Sequence, residues 1–131
     1  MDTSTGLTIR ALADPDLPAM TAFLAAHIER SMFLLGNARA CGLEYSGRPR
    51  SAAYWGAVDA SGAMRGVLAH CWNGNVLLQA PDPDVLHALV AGFALWSLTL
   101  KAAMALLAVG LVAKARPHPN PNPNRDPNPT R

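Results

Sequence analysis

A chain of 131 residues is long enough for one folded domain with a modest core and too short for two domains of ordinary size. Half of its residues are hydrophobic and 15% are charged, a balance typical of a globular protein. Its formal charge of +2 comes from the tail, since residues 114–131 hold four basic residues and one acidic residue, which leaves about −1 for residues 1–113. Because the body has no basic surface and no aromatic residues interleaved with Lys or Arg, we expect no nucleic-acid partner.

The two cysteines, Cys41 and Cys71, form no C-x-x-C pair. Their wide spacing favours two reduced, partly buried thiols over a disulfide or a metal site, so we expect no bound metal. The first ten residues, MDTSTGLTIR, lack the basic and apolar segments of a secretory signal. The expected location is therefore cytoplasmic, with membrane association through a later apolar segment as the alternative.

The first third of the chain predicts a strand followed by two helices. Apolar and polar residues alternate over Leu7–Leu12, which is typical of a half-buried strand. Asp14-Pro15-Asp16 is a helix-start signal. The apolar residues that follow recur at three- and four-residue steps and predict one helical stripe: Leu17, Met20, Phe23, Leu24 and Ile28. Ser31 is predicted to cap a second helix, Met32–Ala40, which Gly42 ends.

The middle third predicts an antiparallel meander of three strands, Ala53–Val58, Met64–Trp72 and Val76–Ala80. The dipeptide Asn73-Gly74 favours a tight hairpin between the last two strands. Such a sheet needs helices to cover it, so we predict an α+β fold.

The last third predicts a helix, an apolar segment and a tail. Pro81–Asp84 marks the start of a helix over Val85–Leu100, with acidic groups at the positive end of the helix dipole. Ala94–Ala113 is long enough to cross a bilayer, although Lys101 lies inside it, so it is either a helix packed on the sheet or a membrane span. From Pro117 onward, prolines alternate with Asn and other polar residues, which predicts a disordered tail and also matches the translation of a simple nucleotide repeat.

The order of elements is strand, helix, helix, three-strand meander, helix. With the segments TIRALADPDLPAMTAFL, SMFLLGNARACGL and GVLAHCWNGNVLLQAP, this order resembles the first half of a GNAT-type N-acetyltransferase, over about residues 8–91. The resemblance implies a truncated GNAT-like β-α-α-β-β-β-α domain at residues 1–92. We expect a hydrophobic helix at residues 93–115 and a disordered Pro/Asn-rich tail at residues 116–131.

The resemblance also implies a reaction, the transfer of an acyl group from acetyl-CoA to an amine by attack of the amine on the thioester. In this superfamily the pantetheine arm pairs with a strand edge that corresponds here to the backbone of Leu78, Gln79 and Ala80. The family's Gly-rich turn, Arg/Gln-x-x-Gly-x-Gly/Ala, binds the pyrophosphate, but here Gln79–Asp84 contains two prolines, two carboxylates and no glycine. We therefore expect this chain to be inactive alone.

The sequence assigns no catalytic residue. Alternation along the middle strand places His70 on the face opposite Cys71. Glu29, Glu44 and His70 are possible bases, and each is also explained as an ordinary helix, loop or strand residue. Two other classes of function stay open: a non-catalytic module of the same fold that binds a partner or a second transferase domain, and a small membrane-tethered protein.

Overall fold

The computed structural model describes residues 6–115, with side chains described as far as Gly110. Within this part the fold is α+β, and its four strands pair antiparallel in the order β1-β2-β3-β4. The strands are β1 (Thr8–Ala11), β2 (Ala52–Val58), β3 (Met64–Cys71) and β4 (Val76–Gln79). The helices are α1 (Leu17–Ala25), α2 (Ile28–Cys41) and α3 (Pro83–Ala115), and a 3₁₀ turn over Asp14–Asp16 precedes α1. The predicted class, the antiparallel meander and the C-terminal apolar helix are confirmed.

The chain divides into two compact units, Met1–Ser97 and Leu98–Arg131. The first unit holds the sheet, α1, α2 and the first half of α3. The second unit holds the rest of α3. The predicted disordered tail at residues 116–131 lies outside the described residues.

The break between the two N-terminal helices lies earlier in the chain than predicted. Helix α2 already begins at Ile28, so Ser31 is a fully buried residue inside α2 and does not cap it. The apolar stripe conceals this break because Leu24 and Ile28 keep a four-residue spacing across it. At the junction the His27 ring instead bonds the carbonyl oxygen of Phe23, which anchors the turn between the helices.

The hairpin between β3 and β4 has a three-residue loop, Trp72–Gly74, instead of the two-residue turn predicted at Asn73-Gly74. The Cys71 N–H donates to the carbonyl oxygen of Asn75 over 2.8 Å and closes this loop. Gly74 has a φ of 85°, a left-handed value that a residue without Cβ adopts at no steric cost. The loop length fixes the register, in which Leu68 lies opposite Leu78 and Val67 opposite Gln79.

Both faces of the sheet are covered, each by a separate apolar cluster. Helices α1 and α2 cover what we call the α1/α2 face, where Met20 and Leu24 pack against Tyr54 and Val67. The first half of α3 covers the opposite face, called the α3 face. The buried residues of that face are all apolar: Leu7, Trp55, Ala57, Leu68, Val85 and Leu89.

The close packing of α3 on the sheet depends on a small residue in β3. A Cβ added at Gly66 would lie 2.8 Å from a side-chain carbon of Leu89 and 2.8 Å from one of Val85. Any side chain at this position would therefore force the Leu89 and Val85 side chains to shift.

Helix α3 is continuous from Pro83 to Ala115 and includes both the helix predicted at 85–100 and the hydrophobic helix predicted at 93–115, two ranges that overlap. No proline interrupts it after its first residue, so nothing in the sequence ends the helix near Leu100. Over residues 83–110 it is long and apolar enough to cross a membrane by length and composition, and only 6% of its most apolar window is buried.

Candidate functional site

A cavity of about 360 Å³ opens where the α1–α2 junction meets the end of β4. Residues 26–30 line one side, and Gln79 and Pro81 line the other. Gln79 lies opposite Val67 and shares its face of the sheet, which places this junction cavity on the α1/α2 face. The chain thus brings polar residues of two distant segments to one edge of the sheet.

The neighbouring edge of β4 offers free backbone groups. In an antiparallel ladder every second pair of opposite residues is joined by backbone hydrogen bonds. Cys71 and Asn75 form such a pair. The backbone N–H and C=O groups of Leu77 and Gln79 therefore also point toward β3. Those of Val76 and Leu78 point outward. No strand within residues 6–115 pairs with this outer edge, since β4 is last in the sheet order.

The three residues predicted to bind the cofactor through their backbone have different positions in this geometry. Leu78 presents its N–H and C=O at the outer edge. Gln79 uses its backbone within the sheet and contributes a buried side chain to the junction cavity instead. Ala80 follows directly after the end of β4.

His27 is the titratable residue that the structure adds to the site. Its Nδ1 lies 2.9 Å from the carbonyl oxygen of Phe23. Because a carbonyl oxygen only accepts hydrogen bonds, Nδ1 carries the proton, and Nε2 of the neutral ring is left to accept one. The ring is held further by contact with the Phe23 ring, with centroids 4.9 Å apart. In the neutral form of the ring, Nε2 is therefore the nitrogen of His27 that can accept a proton.

Sequence reasoning missed His27 because it lies inside an apolar stripe that reads as one uninterrupted helix. No spacing or motif in the sequence marks it. Only the break between α1 and α2 turns it into a residue of the junction cavity.

Of the three predicted bases, Glu29 alone lines this cavity, beside Arg30. Both side chains are exposed, and neither forms an ion pair within the described part of the chain. His70 lies on the α3 face, with its ring 5.5 Å from that of Phe93 between centroids. Glu44 is an exposed loop residue that does not line the cavity.

The start of α3 is occupied by the chain's own carboxylate. Asp82 Oδ1 accepts a hydrogen bond from the Asp84 N–H over 2.9 Å, and Pro83 between them has no N–H to offer. Both aspartates line a further cavity of about 200 Å³ together with Asp59 and Arg65. Arg65 forms an ion pair with Asp59, with 3.8 Å between its guanidinium nitrogen and the carboxylate oxygen. The cavity therefore holds three carboxylates and one cation that is already paired. A phosphate placed here would be repelled.

Two buried hydroxyl groups on the α1/α2 side have no hydrogen-bond partner in the described part of the chain, those of Ser31 and Tyr54. Burial raises the pKa of Tyr54 to about 12, and it also raises the pKa of the Cys71 thiol on the same face.

Both cysteines are free thiols, as predicted.

The geometry defines the class of protein as an α+β domain with a four-stranded antiparallel sheet, an open strand edge and a polar cavity beside it. The chain matches no protein-family model, no curated protein and no solved structure. Within residues 6–115 no group of three or more His, Cys, Asp or Glu side chains is arranged to hold a metal ion.

Proposed function

We propose that this chain is the thioester- and amine-binding half of a GNAT-type N-acetyltransferase. The observation that carries the proposal is the junction cavity, which His27 lines and which lies at the end of β4, the strand with the open edge. Supporting it, the order of elements and the antiparallel strand order agree with what the sequence resemblance implies.

In the proposed arrangement the donor's extended arm pairs with the outward backbone groups of Val76 and Leu78. The acceptor amine enters through the junction cavity on the α1/α2 face and meets the thioester near Gln79. The amine nitrogen attacks the carbonyl carbon, the C–N bond forms, and the C–S bond breaks with the electron pair leaving on the thiolate. His27 Nε2 takes the proton that the amine loses, and this proton then passes to solvent or to the thiolate.

Holding acetyl-CoA requires a second contact, one for its phosphates. The residues at the start of α3 do not fit that group, because Asp82 and Asp84 present carboxylates where a donor phosphate would lie. Acyl transfer by this chain alone is therefore expected to be inefficient, and binding is the more direct test.

The first experiment is calorimetric titration of the full chain, in nonionic detergent, with acetyl-CoA and separately with S-acetylpantetheine, which has the same arm without the nucleotide. We expect S-acetylpantetheine to bind with a Kd below about 1 mM and at least as tightly as acetyl-CoA. Asp82→Asn with Asp84→Asn should tighten acetyl-CoA binding and leave S-acetylpantetheine binding unchanged. If neither donor binds, the proposed function is wrong.

A matched pair of proline variants locates the site. Leu78→Pro removes an outward N–H without removing a bond of the sheet, so S-acetylpantetheine binding should weaken about tenfold, the equivalent of one lost hydrogen bond. Ala11→Pro makes the same change at an outward position of β1, the opposite edge strand, and should leave binding unchanged. Equal effects of the two variants would contradict binding at β4.

A further inference from the structure

We propose that the distal segment of α3, residues 98–115, spans a lipid bilayer as a transmembrane helix. This inference does not depend on acyl transfer. It rests on the exposure, the arrangement and the length of the segment.

Large apolar side chains of the distal segment are exposed where a folded protein would bury them. Six are between 47% and 74% exposed: Leu98, Leu100, Met104, Leu106, Leu107 and Val109. Leaving such a continuous apolar surface in water is costly, because each of these side chains loses about 1.5–3 kcal/mol of burial free energy. Some apolar partner must therefore cover it.

The arrangement of these side chains identifies the partner. At 100° per residue, Leu98, Leu106 and Val109 lie on one side of the helix, and Leu100, Met104 and Leu107 lie on the other. A second protein surface covers one side of a helix, whereas lipid surrounds it. Lipid is thus the occupant that accounts for apolar residues on all sides.

The same arrangement decides between insertion and lying on the membrane surface. A helix that lies in the interface needs one polar face toward water, and the distal segment has none. Its single charged residue before Lys114 is Lys101, three residues from the start of the segment, where a long side chain reaches the headgroups. Lys114 and Arg116 provide a basic flank at the other end.

The length also fits. Eighteen residues rise about 27 Å as a helix, close to the ~30 Å hydrocarbon core of a bilayer. The distal segment therefore has the dimensions of a span.

The test is flotation of the full chain after reconstitution with vesicles of neutral phosphatidylcholine, which excludes attraction through the basic tail. We expect the chain to float with the vesicles and to remain with them after alkaline carbonate extraction. Leu106→Lys with Leu107→Lys should lower the floating fraction about tenfold, because lysines in the middle of the segment oppose insertion. Near-UV circular dichroism should show that the sheet domain is intact in this variant.

Phe33→Lys is the matched control, because Phe33 on α2 is 74% exposed, the same fraction as Leu106. This variant should float like the parent chain. Release of the parent chain by carbonate, equal flotation of the double variant, or a detergent-free oligomer that does not float would overturn the proposal. The last result would mean that further copies of the chain cover the distal segment.

Discussion

The two faces of the sheet differ in the groups that they bury. The α3 face is closed by apolar and aromatic contacts, among them Trp55 with its ring 5.4 Å from Phe93 and 4.8 Å from Trp96 between centroids. The α1/α2 face retains a cavity, a histidine bonded to the backbone and two buried hydroxyl groups that have no partner among residues 6–110. Close packing stabilises the domain, whereas buried polar groups without partners cost stability. We infer that both faces supply stability, the α1/α2 face through the larger buried cluster, and that the α1/α2 face also holds the candidate site.

The largest expected change in the free energy of unfolding comes from a substitution on the α3 face. Leu89→Ala removes a side chain that is fully buried between α3 and the sheet, so it should lower the free energy of unfolding by about 2–5 kcal/mol. Urea-induced unfolding of the full chain in nonionic detergent measures this loss. Val76→Ala, at a position 46% exposed on the open edge, is the control and should change stability by less than about 0.5 kcal/mol. A loss below about 1 kcal/mol for Leu89→Ala would show that the packing of α3 on the sheet contributes little to stability.

A smaller effect of opposite sign is expected on the α1/α2 face. Tyr54→Phe removes a buried hydroxyl group that has no partner in the described part of the chain, so it should raise the free energy of unfolding by about 0.5–1 kcal/mol. The pKa of Tyr54 is about 12 in the folded protein, above the ordinary 10.0, so the neutral form is favoured by folding. Stability should therefore fall as pH rises from 10 toward 12 in the parent chain, and this fall should be smaller in Tyr54→Phe. Destabilisation by Tyr54→Phe at pH 7 would mean that the hydroxyl group is bonded after all.

The smallest effect concerns an ion pair at the border of the sheet and belongs to neither face. Asp16 accepts two bonds from Arg10, at 2.8 and 2.9 Å, and chiefly for this reason its pKa is lowered from 3.8 to about 2. A lowered carboxyl pKa gives stability that is present above pH 4 and is lost as pH falls toward 2. Because the Arg10 side chain is 45% exposed, Arg10→Gln should cost less than about 1 kcal/mol at pH 7. The gap between the two proteins in thermal or urea unfolding should narrow below pH 4 and close toward pH 2, and a gap independent of pH would exclude the ion pair as its source.

The sequence predicts the fold of this chain better than it predicts the site. Alternation along β3 correctly separates His70 from Cys71, because the two-residue period of a strand follows directly from backbone geometry. The strands, the meander and the end of α2 at Gly42 are likewise local consequences of residue type.

The site depends on two details that residue type does not determine. One is the break at His27, hidden by an apolar spacing that both one long helix and two short ones satisfy. The other is the register of the β3–β4 hairpin, since a two-residue turn at Asn73-Gly74 and the observed three-residue loop differ by a one-residue shift. That shift decides whether the Gln79 side chain lies opposite Val67, on the α1/α2 face, or opposite Leu68, on the α3 face.

The most direct measurement is amide hydrogen exchange along β4, followed by NMR with and without saturating S-acetylpantetheine. The amides of Val76 and Leu78 point outward, so the bound arm should slow their exchange, while those of Leu77 and Gln79, already bonded to β3, should change little. Slower exchange at alternate residues would place the donor on the edge beside the junction cavity. Unchanged exchange at both outward amides, in a sample where the ligand binds, would contradict the site proposed on this edge.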